Sequence, residues 1–139
     1  MIALDSNLLI DFMGHDEGLA AAADSALRQA LAGGPVVACE VVVAELVAGL
    51  GNGSLVVDAL EELGVQFSPL EQRSAVRAGE MQRRYAERRR AARESGDAPR
   101  TVPDFLIGAH ALLQCQALIT RDGGFFRDYF KGLKVIVPK

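Results

Sequence analysis

Four carboxylates stand where a globular domain has little structural need of them: Asp5, Glu45, Asp104 and Asp122. Asp5 ends the apolar run Ile2-Ala3-Leu4, and Asp122 comes just after Leu118-Ile119. Asp104 lies three residues beyond Thr101, at an expected helix start, and Glu45 has Val41, Val42, Ala48 and Gly49 as its same-face neighbours. A carboxylate in such company is expected to be buried and must then find a partner. No lysine or arginine occurs between Arg28 and Arg73, so the partner of Glu45 is not local in sequence. Four acids converging without basic side chains between them repel one another, and their pKa values rise unless a divalent cation neutralises them. Hard oxygen ligands point to Mg²⁺ or Mn²⁺. With only His15 and His110, and with Cys39 and Cys115 far apart, no zinc set is present in the sequence. Each acid also has an ordinary reading: a helix cap for Asp5, a capping box for Asp104, an Asp-Gly-Gly turn for Asp122, a paired structural glutamate for Glu45. Asp11, Asp16 and Asp24 read as polar-face acids, and Glu40 as a charge favouring the amino end of its helix.

The elements that must position these acids alternate between short apolar strands and helices. Strands are expected at residues 2–4, 35–37, 65–67, 118–119 and 135–137. Helices are expected from Leu8 through Phe12 and at residues 17–32, 40–50, 54–63, 71–94 and 101–114. Residues 95–99 read as a loop, and residues 125–130 as an aromatic segment after a glycine turn. This alternation implies an α/β fold, a parallel sheet covered on both faces, in which ligands gather at the carboxyl ends of the strands. Asp5 and Asp122 would both reach that edge. Gly49-Leu50-Gly51-Asn52-Gly53 follows a helix and has no lysine after it, so it is no phosphate-binding loop.

With 139 residues, 50% hydrophobic and 24% charged, the chain has the size and composition of one folded domain spanning 1–139. Two cysteines suit a reducing compartment, expected to be the cytoplasm; they and His110 read as a pair of small core residues and a groove-facing or solvent-facing ring. No apolar stretch approaches the roughly 20 residues of a membrane span. The net charge of −3 disfavours nucleic acid as a partner, but it is unevenly placed. Between Arg73 and Arg100, nine arginines against four acids give +5, leaving −8 for the remainder. On a helix, Arg77, Arg84 and Arg88 share one side, whereas Arg83, Arg90 and Arg93 lie closer to another.

The ordered set of acids closely resembles the PIN-domain ribonucleases, in particular the VapC toxins of type II toxin–antitoxin pairs. The likeness runs through Ile2-Ala3-Leu4-Asp5-Ser6-Asn7, Ala44-Glu45-Leu46-Val47-Ala48-Gly49, Asp104-Phe105-Leu106-Ile107-Gly108 and Leu118-Ile119-Thr120-Arg121-Asp122. Ser6 stands where threonine is usual, and Gly108 where alanine is common. The resemblance implies a three-layer α/β/α domain with a short-stranded parallel sheet, and Mg²⁺-dependent hydrolysis of RNA, with Mn²⁺ able to substitute. Asp5 and Asp104 would be direct ligands of one ion, Glu45 a direct or water-mediated one, and Asp122 the ligand of a second. Thr120 would position water or phosphate, and Asn7 would steady the water shell. Arg84, Arg88 and Arg121 would contact RNA, with Asp128 an alternative partner for Arg121. It further implies a VapB-like antitoxin, a homodimer and a tRNA or rRNA target. Leu50, Leu55, Val56 and Leu60 are candidates for the partner surface or for the core.

Two other readings compete. Haloacid-dehalogenase-like phosphatases also place an aspartate after the first strand, but they need an acid where Asn7 stands and a downstream lysine, and Lys131, Lys134 and Lys139 are confined to the tail. A PIN-like RNA-binding or scaffold protein without cleavage would be expected to have lost an acid. None is lost here.

Overall fold

The computed structural model describes residues 1–92 and 99–139. Among these, five strands and seven helices alternate: β1 Ile2–Leu4, α1 Ser6–Phe12, α2 Glu17–Gly33, β2 Val36–Ala38, α3 Glu40–Leu50, α4 Gly53–Leu63, β3 Val65–Phe67, α5 Gln72–Ala92, α6 Val102–Gln114, β4 Ala117–Ile119, α7 Gly123–Tyr129 and β5 Lys134–Ile136. All pairings are parallel, in the order β3-β2-β1-β4-β5. Every residue of β2 and β4 is buried, as in strands covered on both faces. The expected α/β sheet is therefore observed. Arg93 and the expected loop at 95–98 lie outside the described residues.

Register brings the strand ends level: Leu4 pairs with Ile119, Ala38 with Phe67, and Ile119 with Ile136. The chain leaves β1 for β2 on one side, and β4 pairs on the other, so the order reverses between β1 and β4. This is the crevice where open parallel sheets bind ligands. Asp5 and Thr120 are the first residues beyond the two strands that flank it.

Helix ends follow from local chemistry. Asp16 caps α2 by accepting from the Leu19 N–H, and Gly51 and Gly64 close α3 and α4 in the left-handed region, at φ 79° and 81°. The segment at 125–130 differs from expectation. Its first part belongs to helix α7, and Phe126 and Phe130 lie in the core beside Phe105. The pull of that aromatic cluster overrides the turn signal of Gly123-Gly124. Tyr85, Phe105, Phe125 and Tyr129 meet at centroid separations of 5.2–6.3 Å, several edge-to-face, and clamp α5, α6 and α7 together beside the strand ends.

The remaining candidates divide between core and surface. Val56 is fully buried, and the exposed apolar side chains nearby are Leu50, Leu55, Val57 and Phe67. His110 faces neither groove nor solvent. It is buried with Nε2 3.1 Å from Ser68 Oγ, and burial holds its pKa below the usual imidazole value. Cys39 is buried and Cys115 half-buried, and burial pushes the Cys115 thiol up to about 11, which suits packing more than thiolate chemistry.

Candidate active site

Asp5 occupies the N-cap position of α1, yet its side chain caps nothing. Its backbone N–H donates to the Ile119 carbonyl at 3.0 Å, which fastens it to the end of β4. Its carboxylate is buried and accepts from Thr120 Oγ1 at 2.8 Å. Thr120 is the hub of this corner. Its hydroxyl accepts from Asn7 Nδ2 at 3.3 Å and from the Asp122 N–H at 3.0 Å, while Asn7 Oδ1 accepts from the Arg121 N–H at 3.3 Å. Burial, the Glu45 charge and the Asp104 charge push the Asp5 carboxyl up to about 6, against the pull of Thr120.

Glu45 is half-buried on α3, less enclosed than its apolar neighbours implied. Its distant partner is Ser6, whose Oγ donates to Glu45 Oε1 at 3.0 Å and lies 3.4 Å from Asp5 Oδ1. Asp104 is the third residue of α6, half-buried, and the Thr101 hydroxyl does not cap that helix. Desolvation and the Asp104 charge raise the Glu45 carboxyl; desolvation and the Asp122 charge raise that of Asp104, with Arg100 opposing. Asp122 sits at the N-cap of α7, again without a side-chain cap bond. Its carboxyl is held below the usual range by Arg100, whose Nη1 donates to Asp122 Oδ2 at 2.9 Å.

The four acids thus reach one edge of the sheet from four parts of the chain and act on one another electrostatically. Among the described residues, however, no three acidic, histidine or cysteine side chains already form a metal cage. Asp5, Glu45 and Asp122 are instead turned to hydroxyls or a guanidinium. The expectation that no basic side chain stands among the acids is corrected by Arg100. Its guanidinium lies 4.5 Å from the Phe125 ring centroid and its backbone N–H donates to Tyr85 Oη at 2.8 Å. The available signal was a cation four residues before Asp104, which the charge count absorbed into the basic helix. Asp11 is a second correction. It is buried, not polar-face, and its carboxylate pairs with Arg121, so neither RNA nor Asp128 is needed to account for that arginine.

The arginine helix divides as its spacing implied. Arg77, Arg84 and Arg88 line a cavity of about 370 Å³ with Lys131 and a single acid, Asp128, over Met81 and Leu112. Arg88 stacks 5.2 Å from the Tyr129 ring centroid. Arg83 pairs with Glu87, and Arg90 lines a separate cavity. α5 runs antiparallel to α6: Ser74 bonds Gln114 at the end of α6, and Tyr85 bonds Arg100 just before its start. The basic groove therefore leads away from Asp104 along α5.

This fold has a known counterpart. The PIN domain family matches residues 2–131, and the chain belongs to that family. Among solved structures, VapBC2 from Rickettsia felis bound to a promoter DNA fragment is 16% identical over 100% of each chain, at a TM-score of 0.69. A toxin–antitoxin complex from Klebsiella pneumoniae is 23% identical, covering 100% of this chain and 98% of its own, at 0.63. VapC20 of Mycobacterium tuberculosis, a Sarcin-Ricin loop cleaving toxin, is 17% identical, covering 96% of this chain and 99% of its own, at 0.62. At these identities the likeness is one of fold. No curated protein sequence matches the chain. Among the described residues no helix is long and apolar enough to cross a membrane.

Proposed function

We propose that this PIN domain is a Mg²⁺-dependent endoribonuclease and the toxin of a VapBC-type toxin–antitoxin pair. The observation that carries the reading is the meeting of Asp5, Glu45, Asp104 and Asp122 at the β1/β4 switch point, with Asp5 buried on the Thr120 hydroxyl and pushed up by its acidic neighbours. The donor set is oxygen throughout, which fits a hard divalent cation. The raised Asp5, Glu45 and Asp104 carboxyls are those expected of acids that await one.

A bound Mg²⁺, or Mn²⁺ in its place, would supply charge neutralisation for an RNA phosphodiester and orientation for an attacking water. Asp5 and Asp104 would hold the ion, Glu45 directly or through water, and Asp122, paired with Arg100, is the acid on which any further ion would depend. Thr120 keeps Asp5 aimed and Asn7 braces Thr120, so the donors need not reorganise when substrate arrives. Arg84 and Arg88 would take backbone phosphates along the groove, whereas Arg121, tied to Asp11, would reach RNA only on leaving that pair. Cleavage would leave a 5′ phosphate and a 3′ hydroxyl.

The names of the similar complexes support a VapB-like antitoxin as partner, and that of the Mycobacterium tuberculosis protein supports ribosomal RNA as a target, with transfer RNA the other candidate. The exposed Leu50, Leu55, Val57 and Phe67 offer an apolar surface for the antitoxin or for a homodimer in the cytoplasm. Brief induction of the chain in cells, followed by mapping of new RNA ends, tests the reading. Discrete 5′-phosphorylated ends with the wild-type chain and none with Asp5→Asn are expected. Identical end profiles for the two would overturn it.

A further inference from the structure

The four acids are not equivalent. Asp5 and Glu45 share the Ser6 hydroxyl, and both feel the charge of Asp104. Asp122 faces Arg100 at 2.9 Å, and of the other three acids it is Asp104 whose carboxyl feels that pair. That arginine is no loose surface side chain. Its backbone is pinned by the Tyr85 hydroxyl, its guanidinium lies on Phe125, and Phe125 is itself wedged against Phe105, Phe126 and Tyr129. A guanidinium carries its charge at every accessible pH and, once stacked, loses little further freedom on meeting a carboxylate. The pair is partly exposed, the side chains being 31% and 46% accessible, so a cation can reach Asp122, but it meets there a carboxylate oxygen already held by Arg100 and the repulsion of that guanidinium.

We propose that Arg100 is the site's own second cation: it occupies Asp122 and leaves Asp5, Glu45 and Asp104 as the set for a single divalent ion. The inference rests on the nuclease reading and decides a point that reading leaves open, whether one metal ion or two work at this edge. Arg100 is a positioning residue, acting through Asp122. One resident ion then suffices because the charge a second would supply is already part of the fold.

Mn²⁺ binding to the full-length protein, followed by calorimetry and by electron paramagnetic resonance of the free ion, reads the stoichiometry without reference to cleavage. The wild-type chain should bind one Mn²⁺. Arg100→Gln should bind a second, weaker one, the double variant Arg100→Gln/Asp122→Asn should return to one, and Arg100→Lys, which keeps a charge, should remain at one. Thermal melts confirm that each variant is folded, and Arg100→Lys guards against loss of the aromatic platform being read as loss of charge. Two ions of similar affinity in the wild-type chain, or one ion in folded Arg100→Gln, would overturn the inference and leave the nuclease reading standing. No Mn²⁺ bound by the wild-type chain would overturn both.

Discussion

Burial and acidic neighbours strain the charge of Asp5, and pH exposes it. Its carboxyl is raised from an ordinary 3.8 to about 6 in the folded chain, so between those values the folded state holds more protons than the unfolded one. Stability from this group is fully present below the lower value and is lost as pH rises through the upper. The difference is on the order of 3 kcal/mol, since each pKa unit is worth about 1.4 kcal/mol and the group is buried. Metal-free wild-type protein should therefore lose melting temperature between pH 4 and pH 6, whereas Asp5→Asn should not show that part of the loss. A variant that falls in parallel with the wild type would remove Asp5 as its source. The Thr120 hydroxyl opposes the rise, so Thr120→Val should move Asp5 titration above about 6 when followed by carboxyl NMR. Glu45 illustrates why residue types alone mislead: its apolar helix neighbours implied burial, but its carboxylate lies on an open edge where Ser6 serves it. Arg121 was legible as a cation near Asp122; that it turns to Asp11 depends on the path of α1, which spacing does not reveal.

Elements were legible wherever period and punctuation agreed. The helix at 40–50 and the strand at 65–67 are observed at their expected bounds, since glycines at 51 and 64 mark where helices must stop. α7 was not legible, because Asp122-Gly123-Gly124 has the chemistry of a turn and only the core's demand for Phe126 and Phe130 winds it into a helix. That demand has a cost at Gly108 on α6. A Cβ there would stand 2.3 Å from Phe130 Cε2, so the glycine is not a size-neutral replacement for the family's alanine. Gly108→Ala would gain about 1 kcal/mol of helix propensity but force the ring aside, and overpacking costs about 1–3 kcal/mol. Denaturant unfolding should show a net loss, and Phe130→Leu in the same chain should recover part of it. A Gly108→Ala protein more stable than wild type would mean that the ring moves freely and that the α6/α7 contact is loose.

At the scale of the whole molecule, a body of net charge −3 carries a basic groove that follows α5. The uneven charge was readable in the sequence, and so was the division of the arginines into two sides. The groove itself was not, because Lys131 joins it only when the chain after α7 folds back against α5. Neither Arg84 nor Arg88 is in an ion pair among the described residues, although Asp128 shares their cavity and Arg88 stacks on Tyr129, so both charges can be offered to phosphates. Replacing both with glutamine should lower the salt slope of single-stranded RNA binding by about 0.7 per lost contact, with similar losses across sequences if the contacts are to backbone. An unchanged slope in a titration at several salt concentrations would move the RNA path elsewhere. The central claim, that this edge of acids cleaves RNA through a divalent cation, has a more direct test: incubation of RNA with purified wild-type and Asp5→Asn protein, each in Mg²⁺, in EDTA and in EDTA followed by excess Mg²⁺. The account predicts cleavage by the wild-type chain in Mg²⁺, none in EDTA, recovery on re-addition, and activity about a hundredfold or more lower in the folded variant. Cleavage by the wild-type chain that persists in EDTA, or that Asp5→Asn matches in Mg²⁺, would contradict it.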